Sequence, residues 1–276
     1  MTSFGPLVTA QWLRDHLGDP DLRLIDFRWY LDGRSGREAY DSGHIPGAVF
    51  LDLHEVTAAT GAGRHPLPGR SQFQESIREA GVNPGTRVVV YDDASGSVAA
   101  RLWWLLRWFG HRSVAVLDGG IQAWGEPLAT IAGRPEPGLF TAAEPDQARV
   151  VDFDEVSARP RDVVLIDARA PERYSGASEP IDPRAGHIPG ALSVFWKRAI
   201  GDDGRLHSPE RLRDLYSELG IQSGEAVVAY CGSGVTACSA LLALEVAGLP
   251  GGRLYAGSWS DWSRHDHAPA ATGERP

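Results

Sequence analysis

The sequence predicts an α/β fold built twice in tandem, each copy a parallel sheet flanked by helices. Three observations carry that expectation. Short β-branched runs such as "VVVY" and "VVAY" are continuously apolar, without the alternation of a strand that has one wet face. They alternate with helix-forming stretches, the order that feeds a parallel sheet covered on both faces. The chain also repeats itself. "LIDFR" at 24–28 returns as "LIDAR" at 165–169, and "SGHIPGAV" at 42–49 as "AGHIPGAL" at 185–192. "VVVYDD" at 88–93 returns as "VVAYCG" at 227–232, and "GGIQAW" ending at Trp124 as "GSWSDW" ending at Trp262. Four matches in the same order mean two homologous domains, because the period is far too long for a solenoid.

In the first copy, 87–91 and 113–117 read as strands and 98–109 as a helix. In the second, 226–230 reads as a strand and 236–247 as a helix. Between them, 132–147 ("AGRPEPGLFTAAEPDQ") has the Pro, Gly and Ala content of a linker. The expected domains are therefore 1–131 and 148–276.

The 276 residues are 42% hydrophobic and 23% charged, enough for two ordinary cores. A formal net charge of -9 argues against a nucleic-acid-binding surface and for a small molecule or another protein as partner. The first residues show no basic stretch followed by a long apolar run, and no segment approaches the length of a membrane span. A cytoplasmic protein without membrane contact is expected. The two cysteines, Cys231 and Cys238, fall seven positions apart on a predicted turn and helix. Two helical turns separate backbones by about 10 Å, beyond the roughly 7 Å that a disulfide spans, so both read as thiols.

Cys231 is the candidate nucleophile. It follows a strand directly and precedes "GSGVT" and a helix, the place where open α/β sheets bind ligands. Gly232 and Gly234 allow the loop to turn its amides inward. With the helix N-terminus, these amides form an anion nest that favours a thiolate and any sulfur bonded to it. Packing alone would make Cys231 a small buried residue, matched by another small apolar residue in the duplicate. The duplicate instead has Asp92, as in a domain that keeps the fold and loses the chemistry. Cys238, two turns further on, reads as core.

With these residues in hand, the whole chain resembles the two-domain rhodanese-type sulfurtransferases. "LIDAR", "GHIPGA", strand-Cys-loop-helix and "LDGGIQAW" fall in that family's order. "CGSGVTA" at 231–237 is similar to the loop of the 3-mercaptopyruvate branch, whereas the thiosulfate branch has basic residues after the cysteine. The resemblance implies a Cys231 persulfide that moves sulfane sulfur from 3-mercaptopyruvate to a thiol acceptor, such as thioredoxin or a small thiol, or to cyanide. It implies no cofactor and no metal. Thiosulfate is the alternative donor. A non-catalytic binding module would suit a chain having only the Asp92 copy.

By the same resemblance, Ser233 and His65 match the family's proton relay, and Arg173 and Arg184 its carboxylate-binding pair. Gly232, Gly234, Val235 and Thr236 line the donor. The relay's acid position falls on His54, with Asp52 and Glu55 beside it; an imidazole cannot orient His65 as a carboxylate would, unless one of those neighbours substitutes. The site is expected in the cleft between domains, Cys231 coming from the second and His65 from the first. His44, His187, Asp26 and Asp167 occur in both copies and read as structural. A phosphatase on this topology would need an arginine where Ala237 stands.

Overall fold

The apolar runs become the central strands of two five-stranded parallel sheets. The computed structural model describes residues 4–133 and 135–276; Arg134, inside the expected linker, and residues 1–3 lie outside the described residues. The first sheet holds β1 (Leu7–Val8), β2 (Leu22–Asp26), β3 (Val49–Phe50), β4 (Arg87–Tyr91) and β5 (Val114–Leu117), in the order β1-β5-β4-β2-β3. The second holds β6 (Val150–Val151), β7 (Val164–Asp167), β8 (Leu192–Ser193), β9 (Val227–Tyr230) and β10 (Arg253–Tyr255), in the order β6-β10-β9-β7-β8. The two orders are the same, and corresponding residues keep register: Asp26 lies opposite Tyr91 as Asp167 lies opposite Tyr230.

Helices α1 (Ala10–His16), α2 (Gly36–Ser42), α3 (Arg70–Glu79) and α4 (Ala99–Trp108) accompany the first sheet. Helices α5 (Phe153–Ser157), α6 (Pro171–Ser175), α7 (Pro209–Glu218), α8 (Ala237–Val246) and α9 (Ser258–Trp262) accompany the second. Local sequence explains several starts. Thr9 and Ser35 accept from backbone N–H groups three residues on, Asp152 and Glu155 form a capping box, and Ser208 caps α7 with Pro209 behind it. Helices α4 and α8 are apolar nearly all round, which is the pattern of a helix buried on every side; Trp103, Trp104 and Leu242 are fully enclosed. No helix among the described residues is long and apolar enough to cross a membrane.

The repeated motifs do the same structural work in each copy. The Asp26 carboxylate takes the Arg28 guanidinium side-on, and Asp167 takes Arg169 likewise, with Nη2···Oδ2 distances of 2.6 Å in both. His44 stacks on Tyr40 at 3.9 Å and His187 on Tyr174 at 3.8 Å, each imidazole Nδ1 bonded to that tyrosine's carbonyl. The hydroxyls of Tyr91 and Tyr230 accept from the N–H of Ile45 and Ile188, tying each "GHIPG" loop to its sheet.

The compact units differ from the sequence boundaries in two places. One unit comprises Met1–Thr57, Pro68–Asp146 and Asp202–Leu206; the other comprises Ala58–Leu67, Gln147–Gly201 and His207–Pro276. The short segments Ala58–Leu67 and Asp202–Leu206 occupy equivalent places in the two copies, and each belongs to the other copy's unit. Part of the expected linker is also packed. Gly138 N–H and Phe140 N–H bond to the carbonyls of Arg78 and Val82, and Phe140 is buried in the first unit.

Candidate active site

Cys231 follows the last residue of β9 and is 2% exposed. Its N–H donates to Ser258 Oγ at 3.2 Å, and its carbonyl accepts from Trp259 N–H at 2.9 Å. The carbonyl of Gly232 accepts from Ser260 N–H, also at 2.9 Å. The loop is thus bolted to the start of α9. Gly234 is required here: its φ is +77°, and a Cβ would sit 2.6 Å from the Ala256 carbonyl oxygen. Ser258 accepts a left-handed φ of 55° and in return bonds both Cys231 N–H and the Tyr255 carbonyl.

The first copy reveals what such a loop binds. Asp92, fully buried, accepts four backbone N–H groups, from Ala94, Gly96, Val98 and Ala99, at 2.7–2.8 Å. Burial outweighs the pull of the four amides and pushes this carboxyl up. All four are donors, so the loop encloses a place built for a hydrogen-bond acceptor. In the second copy the amides of Ser233, Val235 and Thr236 have no protein acceptor among the described residues. Cys231, directly after Tyr230, stands where Asp92 stands directly after Tyr91.

Ser233 and His65 meet, with Ser233 Oγ 2.8 Å from His65 Nδ1. Both are buried, at 7% and 6% exposure. The segment carrying His65 was expected in the first domain; its contacts place it in the second unit with Cys231. Two features hold it there. Arg64 N–H donates to Ser260 Oγ at 3.0 Å, and Gly63, at φ +76°, passes so near the Gly257 carbonyl that a Cβ would lie 2.4 Å from its oxygen.

A chain of alternating charges leads to the same loop. Buried Asp167 pairs with Arg169, Arg169 with Glu179, Glu179 with Arg173, Arg173 with Asp182, and Asp182 with Arg64. Burial opposes ionisation of Glu179, but its two-point pairing with Arg173 at 3.1 and 2.8 Å prevails and holds its carboxyl below the usual range. Asp182 goes the other way: burial, with Glu179 nearby, outweighs its contacts with Arg64 and Arg173 and pushes it up. Burial likewise opposes the charge on Arg169, and Asp167 overcomes it. At the loop, a Cβ built on Gly232 would lie 2.9 Å from Arg64 Nη2 and 3.1 Å from Arg173 Nη1.

Arg173 therefore stands where the sequence reading put it, beside the cysteine loop. Arg184, expected as the second carboxylate-binding arginine, has its donors turned elsewhere. Its Nε bonds the Ser263 carbonyl, its Nη1 that of Ala268, and its Nη2 those of Trp262 and His265. Four of its five donors close the C-terminal end of α9, an arrangement sequence position alone does not disclose. Arg64 escaped the sequence reading; its one signal was adjacency to His65 in "GRHPLPG". Asp52 and Glu55 are occupied as a capping box on the turn Leu53–Val56, and His54 is exposed on that turn, within the first unit. Val235 is buried, Thr236 is the residue preceding α8, and Cys238 is buried with its thiol donating to the Gly234 carbonyl at 3.3 Å.

Comparisons with known proteins show the family of this chain. The family of the rhodanese-like domain matches twice, at residues 9–127 and 152–265. A Pseudomonas aeruginosa protein named as a probable 3-mercaptopyruvate sulfurtransferase is 43% identical, covering 99% of this chain and all of its own. The thiosulfate sulfurtransferase of Rattus norvegicus is 35% identical over 96% of this chain and 94% of its own. Among solved structures, SseA from Escherichia coli, described as a 3-mercaptopyruvate sulfotransferase of rhodanese fold, superposes with a TM-score of 0.81. It is 34% identical and covers 93% of this chain and 99% of its own.

Proposed function

The chain belongs to the rhodanese-like family, and from that premise we propose that it is a sulfurtransferase taking sulfur from 3-mercaptopyruvate through a persulfide on Cys231. The Cys231 thiolate attacks the thiol sulfur of the donor. An S–S bond forms, the donor C–S bond breaks, and its electron pair enters the carbonyl system as the enolate of pyruvate. The donor's thiol proton is delivered to the enolate carbon, so the products are the Cys231 persulfide anion and pyruvate. A thiolate acceptor then attacks the outer sulfur, and Cys231 leaves as thiolate. The loop amides of Gly232, Gly234, Val235 and Thr236 surround the sulfur, and Arg173 binds the donor carboxylate.

The observation that carries this reading is the Ser233–His65 hydrogen bond beside the cysteine loop. An enolate leaving group needs a proton, and a hydroxyl backed by an imidazole can pass one. Thiosulfate releases sulfite, which needs none. The first domain, with Asp92 in its loop, acts as a non-catalytic partner of the second. The acceptor is a small thiol or a thioredoxin-like protein, in a reducing compartment such as the cytoplasm.

The test is kcat/KM for 3-mercaptopyruvate and for thiosulfate with one acceptor, on wild type and Cys231→Ser, together with the mass of the protein after each donor. A mercaptopyruvate preference and a one-sulfur mass gain, both lost in the variant, are expected. A thiosulfate preference would overturn the donor; full activity in Cys231→Ser would overturn the mechanism.

A further inference from the structure

We propose that Arg64 is the second carboxylate-binding residue of the donor site, paired with Arg173 across Gly232, and that buried Asp182 positions the two. The proposal rests on the 2-oxo-acid reading above and assigns the role for which Arg184 is not available.

The donor inventory points to Arg64. The Nε and Nη2 of Arg173 are spent on Glu179 and Asp182, while its Nη1, at Gly232, has no protein acceptor among the described residues. Arg64 gives Nη1 to Asp182, while its Nη2, also at Gly232, has no acceptor among the described residues. Each guanidinium thus turns an unused edge toward the residue after the nucleophile. Asp182 takes one arginine on each oxygen, Arg64 on Oδ1 and Arg173 on Oδ2. Two like charges are held side by side in a fixed geometry, and their free N–H groups suit the two oxygens of one carboxylate.

The duplicate argues against a merely structural role. Both copies keep the Asp-x-Arg pair and its bond to a glycine carbonyl, Gly43 in one and Gly186 in the other. In the first copy Ala39 stands before Tyr40, where Arg173 stands before Tyr174. The extension through Glu179, Arg173, Asp182 and Arg64 occurs in the unit that has the cysteine. Folding of this architecture does not require it.

The experiment compares wild type, Arg64→Ala, Arg64→Lys and Asp182→Asn with three probes: 3-mercaptopyruvate, the carboxylate-free donor mercaptoacetone, and pyruvate as a ligand measured by calorimetry. For Arg64→Ala, KM for mercaptopyruvate and Kd for pyruvate should each rise about tenfold or more, with kcat changed less than about threefold. Its kcat/KM for mercaptoacetone should stay within about twofold of wild type. Arg64→Lys and Asp182→Asn should fall between. Equal losses on both donors, or a fall in kcat at constant KM, would reduce Arg64 to a support for His65 and overturn the proposal. If Cys231 takes no sulfur from any donor, the function reading fails separately. Pyruvate then decides alone: no binding by wild type, or equal binding by Arg64→Ala, overturns the clamp.

Discussion

Ser233 Oγ and His65 Nδ1 lie 2.8 Å apart although 168 residues separate them in the chain. On the proposed relay, removing the imidazole takes from buried Ser233 the group with which it exchanges a proton. His65→Ala should lower kcat for mercaptopyruvate by about 10²–10⁴, while thiosulfate turnover changes by less than about tenfold. Steady-state kinetics on both donors check this; equal losses would mean that His65 supports the loop and moves no proton.

Gly232 and Gly234 should respond differently to the same substitution. At Gly232 a methyl meets the flexible ends of Arg64 and Arg173. Gly232→Ala is expected to fold with nearly unchanged Tm and a raised KM. At Gly234 the methyl meets backbone oxygen in a left-handed conformation, so Gly234→Ala should cost about 1–3 kcal/mol and activity with it. Thermal melts and kinetics on the two variants separate the cases.

Arg184→Ala should act on stability. Four carbonyls lose their donor at the end of α9, and about 2–4 kcal/mol is expected from hydrogen bonds to a charged group. The ratio of KM for mercaptopyruvate to KM for thiosulfate should not move. A selective rise for mercaptopyruvate would restore Arg184 to the donor site.

Asp92→Ala would leave four buried amides without an acceptor. The first unit should lose about 3 kcal/mol or more, and Asp92→Asn less, because one oxygen remains. Persulfide formation on Cys231, read by mass below the melting temperature, should be unchanged, since the cysteine loop belongs to the second unit.

Tyr174 supplies a pH dependence. Burial pushes its phenol up to about 12, against about 10 in an unfolded chain. The stability it contributes is complete below pH ~10 and is lost as pH rises from there to about 12. Tyr174→Phe loses the bond to the Ala191 carbonyl and should flatten that part of the alkaline Tm profile. An identical profile in the variant would assign the alkaline loss to other groups.

The sequence by itself determined the duplication, the parallel sheets, the position of Cys231 and the structural histidines. Each of these is written in contiguous residues: an apolar run, a glycine turn, a motif met twice. It also set Asp92 against Cys231, because each directly follows the tyrosine, Tyr91 or Tyr230, that ends a matching apolar run. The tertiary structure decided which arginine does what. Arg184 and Arg64 look alike in a sequence, each a cation near "GH" or "HP"; packing sends one to the carbonyls of α9 and the other to Asp182, 118 residues away. It likewise decided that Ala58–Leu67, and His65 with it, belongs to the second unit. A guanidinium reaches several ångströms on a flexible stem, and its partner is fixed by whichever acceptors the fold brings within that reach.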